Sequence, residues 1–197
     1  MPGVAHQVNP LSIVAEWLAE AERSEPANPA AMALATASAD GAPSVRMVLL
    51  KGLDKRGVTF YTNLSSRKAQ ELRDNPHAAL CLYWKSLDRQ VRIEGRVQPV
   101  SDAEADEYFA TRPRLAQIGA WASRQSAPLD SRFALEQEVA RFTARFGLGA
   151  IPRPEFWSGF RVVPERIELW RQGAFRLHER KLYTRRGDEW VVEMLYP

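Results

Sequence analysis

The sequence predicts an α+β fold built on an antiparallel, barrel-like sheet, and three observations carry that prediction. Strand-like segments dominate the 197 residues. Helical segments are inserted among them in blocks, and no regular βαβ alternation runs along the chain. The length suits one substantial domain with its own core, so residues 1–197 are expected as a single unit.

The elements follow in order. NPLSIVAEWLAEAERSE places Leu11, Val14, Trp17 and Leu18 at helical spacing behind the start signal Asn9-Pro10, predicting an amphipathic helix over about 10–23. After a Pro/Ala-rich connector, AMALATASADGAPSVRMVLLKGLDKRGVTFYTN reads as a meander of three strands. The first two are broken at Ala39-Asp40-Gly41, and the third is entered after Lys55-Arg56-Gly57. LSSRKAQELRDNP reads as a short helix capped by Ser65 or Ser66 and stopped at Asn75-Pro76. Two more strands come from AALCLYWKSLDRQVRIEGRVQPV, the second alternating Gln90, Arg92, Glu94 and Arg96 against Val91, Ile93, Gly95 and Val97. SDAEADEYFATRP opens with the capping box Ser101-x-x-Glu104. RLAQIGAWAS and DSRFALEQEVARFTARFG add helices, the latter ending at Gly147. From FWSGFRVVPERIELW onward, about 156–197, the chain returns to strands with a hairpin turn at Arg186-Gly187-Asp188.

Composition removes several function classes. A hydrophobic share of 45% and a charged share of 26% are ordinary for a soluble globular protein. No stretch approaches the ~20 apolar residues of a membrane span, and MPGVAHQVNP lacks the regions of a signal peptide, so a cytoplasmic protein with no membrane partner is expected. The single cysteine, Cys81 in AALCLYW, excludes an internal disulfide and reads as a small buried hydrophobe. His6, His77 and His178 are scattered, so no metal site is expected. A net charge of +3 is a small excess for a nucleic-acid binder, and no aromatic-plus-basic recognition motif supports one. The basic residues are instead concentrated: residues 44–73 carry seven Lys or Arg against two Asp or Glu, and residues 170–186 carry six against one. Two such regions suit small anionic ligands at least as well as a polyanion, and any single one of these charges reads equally as solvated surface.

Four stretches carry candidate chemistry. In SSRK, Arg67 and Lys68 fall in the first turn of a helix, where the dipole is already positive; an anion there removes the conflict. With the Ser65 and Ser66 hydroxyls and the free backbone N–H groups they make a phosphate cradle. In RMVLLK, Arg46 and Lys51 are five apart, which on a regular strand sets them on opposite faces toward different partners unless a bulge or strand end re-aims one. Gln90 offers an amide donor and acceptor suited to a heteroaromatic ring edge, whereas Trp170 reads from spacing alone as a core residue. In WRQGAFRLHER, extended alternation would set Arg176, His178 and Arg180 on one face. Like charges side by side repel, so either water solvates that face or something anionic or electron-rich lies against it.

Taken together, RMVLLK, FYTNLSSRKAQEL, DRQVRIEG, YFATRPRLAQIGAWASRQS, FWSGFRV, IELWRQG and RLHER, in this order and spacing, resemble the pyridoxine/pyridoxamine 5′-phosphate oxidase family from about Asn9 to Pro197. The resemblance implies an FMN-binding split β-barrel with flanking helices, paired as a homodimer with FMN between subunits. It places FMN contacts on Arg46, Met47, Val48, Leu49, Leu50 and Lys51, on Tyr61, Thr62, Arg67 and Lys68, and on Gln90, Gln125, Ser126, Trp170 and Arg180. Lys51, Tyr108 and Arg112 would hold the substrate phosphate, and the helical spacing of Tyr108 and Arg112 puts a phenol and a guanidinium on one face for it. Arg176 and His178 would meet the substrate ring as catalytic residues. The implied reaction oxidises C4′ of pyridoxamine or pyridoxine 5′-phosphate to pyridoxal 5′-phosphate, with O2 as acceptor and hydrogen peroxide as by-product. Two departures stand out: Ala116 replaces a serine usual in the family, and with eight residues ahead of Asn9 the family's longer closing segment is not expected. The alternatives are a related flavin oxidase of the phenazine-biosynthesis type and a non-catalytic FMN- or pyridoxal-phosphate-binding protein.

Overall fold

The computed structural model describes residues 9–197; the expectations ahead of Asn9, no signal peptide and no closing segment, lie outside the described residues. Helix α1 (Pro10–Ser24) begins as expected, with the Asn9 side chain accepting from Leu11 N–H and Pro10 in the first turn. It buries Leu11, Val14, Trp17 and Ala21 against the inner face of the sheet, among Leu34, Phe60, Leu82, Ile93 and Ile167.

The strands are β1 (Ala31–Ala37), β2 (Pro43–Leu49), β3 (Gly52–Asp54), β4 (Gly57–Asn63), β5 (His77–Trp84), β6 (Arg89–Pro99), β7 (Trp157–Arg171), β8 (Glu179–Arg186) and β9 (Glu189–Met194). They form one antiparallel sheet in the order β2-β1-β5-β6-β7-β4-β3, with β8 added to β7 and β9 to β8. The expected three-strand meander is therefore corrected to two separate hairpins. The reason lies at Leu50 and Lys51. Leu50 N–H bonds back to Ala30 O while Lys51 N–H bonds forward to Thr59 O, so adjacent residues belong to opposite ends of the sheet. The sheet curls into a split barrel, and these residues carry the chain across its opening.

Strand β7 serves both halves. β6 runs along one side of it; on the other, residues 58–63 of β4 pair with 157–162 and β8 pairs with 166–171. The change of partner falls at Pro164, which has no N–H to give, beside a register shift at Glu94/Gly95. The helices α2 (Arg67–Asp74), α3 (Asp102–Thr111), α4 (Arg114–Ala122) and α5 (Arg132–Phe146) flank this frame. The capping box at Ser101 and Glu104 is present. Glu104 also pairs with Arg161 of β7 and with Arg56, which ties α3 to the sheet. A second apolar cluster joins α3, α4 and α5 through Phe109, Ile118 and Phe142 to Trp157.

The outer face of β2, β1 and β5 is apolar and open, with Val45 and Met47 exposed at 68% and 64% and Tyr83 at 54%. Cys81 faces this side, half-buried rather than buried, because β5 shows its odd-numbered residues outward beside the alanines of β1. Burial pushes its thiol above the ordinary value. On β7, a Cβ at Gly159 would come within 2.7 Å of the Tyr61 ring, which lies flat across this position. Gly159→Ala is expected to cost about 1–3 kcal/mol by displacing that ring, read as a lower urea midpoint with the slope unchanged.

Candidate functional site

At the barrel opening lies a cavity of about 820 Å³ whose walls come from β2, the end of β4, the start of α2, the end of α3, the middle of α4 and the 123–126 loop. Its first feature is a buried cation. Lys68, 7% exposed, sits with its Nζ 3.1 Å from Gln125 Oε1, 3.2 Å from Thr62 Oγ1 and 3.3 Å from Ser66 Oγ. None of these neutral oxygens balances its charge. Burial, and then the nearby Arg46, push the Lys68 pKa below the ordinary lysine value.

Ser66 occupies the N-cap position of α2, but its hydroxyl donates to Asn63 O and makes no cap bond, so neither candidate serine caps by side chain. The Arg67 N–H points to Ser126 Oγ at 3.3 Å, and Ser126 holds a left-handed φ of 73°. Thr62 Oγ1 reaches Gln125 Oε1 at 2.9 Å and Asn63 Nδ2 donates to Ser123 O, so the loop is latched against β4 and α2.

Glu71 was not among the sequence candidates. Its carboxylate, 6% exposed, accepts from Thr36 Oγ1 (2.5 Å), Ser44 Oγ (2.6 Å), Arg67 Nε (2.8 Å) and Arg46 Nη2 (3.3 Å). It thereby holds two cavity arginines from β2 and α2 on one anion. Burial alone would raise its pKa, but the Ser44 and Thr36 hydroxyls and Arg67 outweigh that and bring it from 4.5 to about 2. The one signal in the sequence was its i, i+4 spacing from Arg67.

Along β2 and beyond, Met47, Val48 and Leu49 line the cavity with Arg46, while Leu50 turns into the barrel core. Lys51 lines the same cavity as Arg46, contrary to the opposite-face expectation, because β2 ends at Leu49 and the alternation stops there. Tyr108 and Arg112 also line it. Arg112 is not on the helix, however; α3 ends at Thr111 and Arg112 is extended, as expected of a residue before proline. Tyr61, Tyr108 and Trp157 form a cluster of near-parallel rings, with Tyr61 4.1 Å from Tyr108 and 5.4 Å from Trp157, and Tyr108 6.2 Å from Trp157. Trp157, in the FWSGFRV motif, is a wall residue outside the candidate set.

The remaining candidates assemble elsewhere. Gln90, Trp170 and Arg180 are directly opposed on β6, β7 and β8, a row across one face. Four strand spacings separate β2 from β7, roughly 19 Å along the sheet, and no member of the row lines the cavity. Trp170 is half-buried on the outer face, not in the core, with the His178 ring 4.8 Å away. Arg180 donates from Nε to Glu168, a buried carboxylate that also takes Arg92.

The strand alternation of Arg176, His178 and Arg180 is corrected as well, because β8 begins only at Glu179. Before it, Gly173 lets the chain double back where a Cβ would strike Leu177 O, and Leu177 N–H bonds to Ala174 O. Phe175 and Arg176 are held at φ of 55° and 64°, a strained pair of the sort found at ligand sites. His178 Nδ1 accepts from Gly173 N–H at 3.3 Å.

A curled antiparallel sheet open along one side, with a cation-lined cavity at the opening, defines a protein of the split-barrel class. Family models match in sequence: the pyridoxamine 5′-phosphate oxidase model over residues 18–146 and the pyridoxine 5′-phosphate oxidase C-terminal dimerisation region over residues 157–197. Curated relatives named pyridoxine/pyridoxamine 5′-phosphate oxidase include one from Rhodospirillum rubrum, 59% identical with 96% of each chain covered, and one from Rhodopseudomonas palustris strain HaA2, 58% identical with 96% of this chain and 90% of the relative covered. Among solved structures, PhzG from Burkholderia lata 383 in complex with tetrahydrophenazine-1-carboxylic acid matches with a TM-score of 0.91 at 35% identity, over 98% of this chain and 95% of that one. The chain belongs to the pyridoxamine 5′-phosphate oxidase family and is an oxidoreductase.

Because the Glu71 pKa is depressed, its contribution to stability is complete above pH 4.5 and is lost as pH falls toward 2. Glu71→Gln is expected to flatten that part of the acid-induced loss in urea titrations at successive pH values. A loss of unchanged steepness would place the effect on other carboxylates.

Proposed function

We propose that the protein is an FMN-dependent oxidase that converts pyridoxamine and pyridoxine 5′-phosphate to pyridoxal 5′-phosphate. The observation that carries the reading is one cavity lined by cations from separate elements, Lys68 at the start of α2, Lys51 after β2 and Arg112 after α3, which we read as two seats for anions, Lys68 in one and Arg112 with Lys51 in the other. A cofactor phosphate and a substrate phosphate fill such a pair. The donor set at the first seat, Lys68, Arg67, Arg46 and the first N–H groups of α2, fits a dianionic phosphate. Tyr61, Thr62, Gln125 and Ser126 would complete the FMN contacts on this side.

When bound, FMN supplies the two-electron acceptor for oxidation at C4′ and is reoxidised by O2 to give hydrogen peroxide. The amine substrate also takes up water and releases ammonia. The residues of the chain bind and orient. Lys51, Tyr108 and Arg112 fix the substrate phosphate, and through it the distance of C4′ from the acceptor. Arg176 holds the pyridine ring in position. With Nδ1 of His178 already accepting from Gly173, a neutral ring carries its proton on Nε2, which then donates to the ring hydroxyl of the substrate.

The row of Gln90, Trp170 and Arg180, with Arg176 and His178, reaches the cavity in a homodimer. It lies on the same outer face as the exposed Val45, Met47 and Tyr83, and a twofold pairing through that face brings the row of one protomer to the cavity of its partner. The PhzG likeness raises oxidation of a larger tricyclic acid as a second reading, and the small wall residues Ala116 and Gly119 leave room for it. The second cationic seat favours the phosphorylated substrate.

The purified protein is expected to be yellow and to release peroxide with pyridoxamine 5′-phosphate. Bound FMN without turnover would remove the oxidase reading. Arg176→Ala and His178→Ala should each lower kcat by about 10²-fold or more while FMN stays bound. Tyr83→Asp should shift the protein from dimer to monomer in sedimentation and strip its flavin; a monomer that retains FMN would show that one chain suffices.

A further inference from the structure

The cavity arginines are held in two different ways. Arg46 and Arg67 share Glu71, and Arg180 of the outer row is held by Glu168. Arg112 has no carboxylate partner among the described residues, and its buried Nη1 makes no hydrogen bond. Burial pushes its guanidinium below the ordinary arginine value. What it does have is a ring face: its Cζ lies 4.7 Å from the centre of Trp157 and 5.6 Å from that of Phe109.

Trp157 is itself over-determined. It is 6% exposed, opposes Asn63 in the β4–β7 ladder, lies parallel to Tyr61 within 5°, and meets Phe109 edge-on at 5.1 Å. Its ring cannot turn without disturbing both neighbours. A carboxylate at this place would orient Arg112 equally well but would cancel most of its field toward a phosphate. The face of an indole attracts a cation through its quadrupole and carries no net charge, so the guanidinium is aimed and remains uncompensated.

We propose that Trp157 is the positioning residue for Arg112, seating the guanidinium by its ring face so that its whole charge is available to the phosphate of the substrate. This rests on the oxidase reading above and adds to it a cavity-wall residue that acts through Arg112. A desolvated contact of this kind is worth about tenfold to thirtyfold in an equilibrium.

The test uses FMN-loaded protein, with steady-state kinetics on pyridoxamine 5′-phosphate and FMN dissociation measured separately. Trp157→Leu should raise KM about tenfold to thirtyfold, leave kcat within about twofold, and leave FMN affinity unchanged. Trp157→Phe, which keeps a weaker ring face, should fall between. Combined with Arg112→Ala, Trp157→Leu should add little to the loss that Arg112→Ala causes alone. An unchanged KM, an equal loss of FMN affinity, or additivity in the double variant overturns the proposal. If the leucine variant does not fold, the same cycle with Trp157→Phe decides, and additivity again overturns it. A wild-type protein without turnover would strike the oxidase reading separately. Calorimetric binding of pyridoxamine 5′-phosphate to the wild-type and Trp157 variants would then test the seat by itself, an equal affinity overturning it.

Discussion

The antiparallel ladder between β6 and β7 is the constraint from which the rest of the architecture hangs. It runs from Arg89 against Arg171 to Pro99 against Phe160, with one register shift at Glu94/Gly95. That shift lets one long strand bend and change its second partner, from β4 to β8. The first half of β7 closes the barrel and presents Trp157 to the cavity. Its second half presents Trp170 to the outer face and carries the β8–β9 hairpin. A single continuous strand thus fixes the relation between the cavity and the outer row, and hydrogen-bonded pairing over its whole length makes that relation stiff.

Charge is distributed over this frame with a consistent logic. Glu71, Glu104 and Glu168 each collect two arginines from different elements. Such sharing pins strands and helices together and removes the like-charge repulsion that a basic region would otherwise suffer. Glu71 and Glu104 are both drawn down to about 2, so they remain ionised over the whole physiological range. Against that background, Lys68, held by neutral oxygens, and Arg112, whose buried Nη1 makes no hydrogen bond, stand out. Burying a cation without a carboxylate in contact costs stability, and an anion that binds it gains the corresponding affinity.

Much of the local structure was legible in the chain. Asn9-Pro10, the Ser101–Glu104 capping box and Gly147 act within a turn of their own positions, so their signals are contained in a few neighbouring residues. The alternation of Gln90 through Val97 survives because β6 is central and one face is buried. The departures from sequence expectation share a cause. Alternation holds only within a strand, and Lys51 lies beyond the end of β2 while Arg176 and His178 lie in the turn before β8. Helical spacing was likewise carried one residue too far, onto Arg112, although Pro113 was there to mark the end. Glu71 and Trp157 escaped notice because each acts through groups distant in sequence, Thr36 and Ser44 for the one and Arg112 for the other.

By itself, the sequence determined the α+β class, the starts of α1 and α3, the two basic regions and the family, because periodicity, caps and ordered motifs are local and survive without a folded frame. Only the tertiary structure decided that the β2 and β4 hairpins sit at opposite ends of one sheet and meet across an opening. It also decided that Arg46 and Lys51 share a cavity, and that the Gln90–Trp170–Arg180 row stands apart from it. Those facts depend on which strands pair and where a strand bends. Pairing is set by burial of whole faces over long separations, which no short stretch of residues encodes.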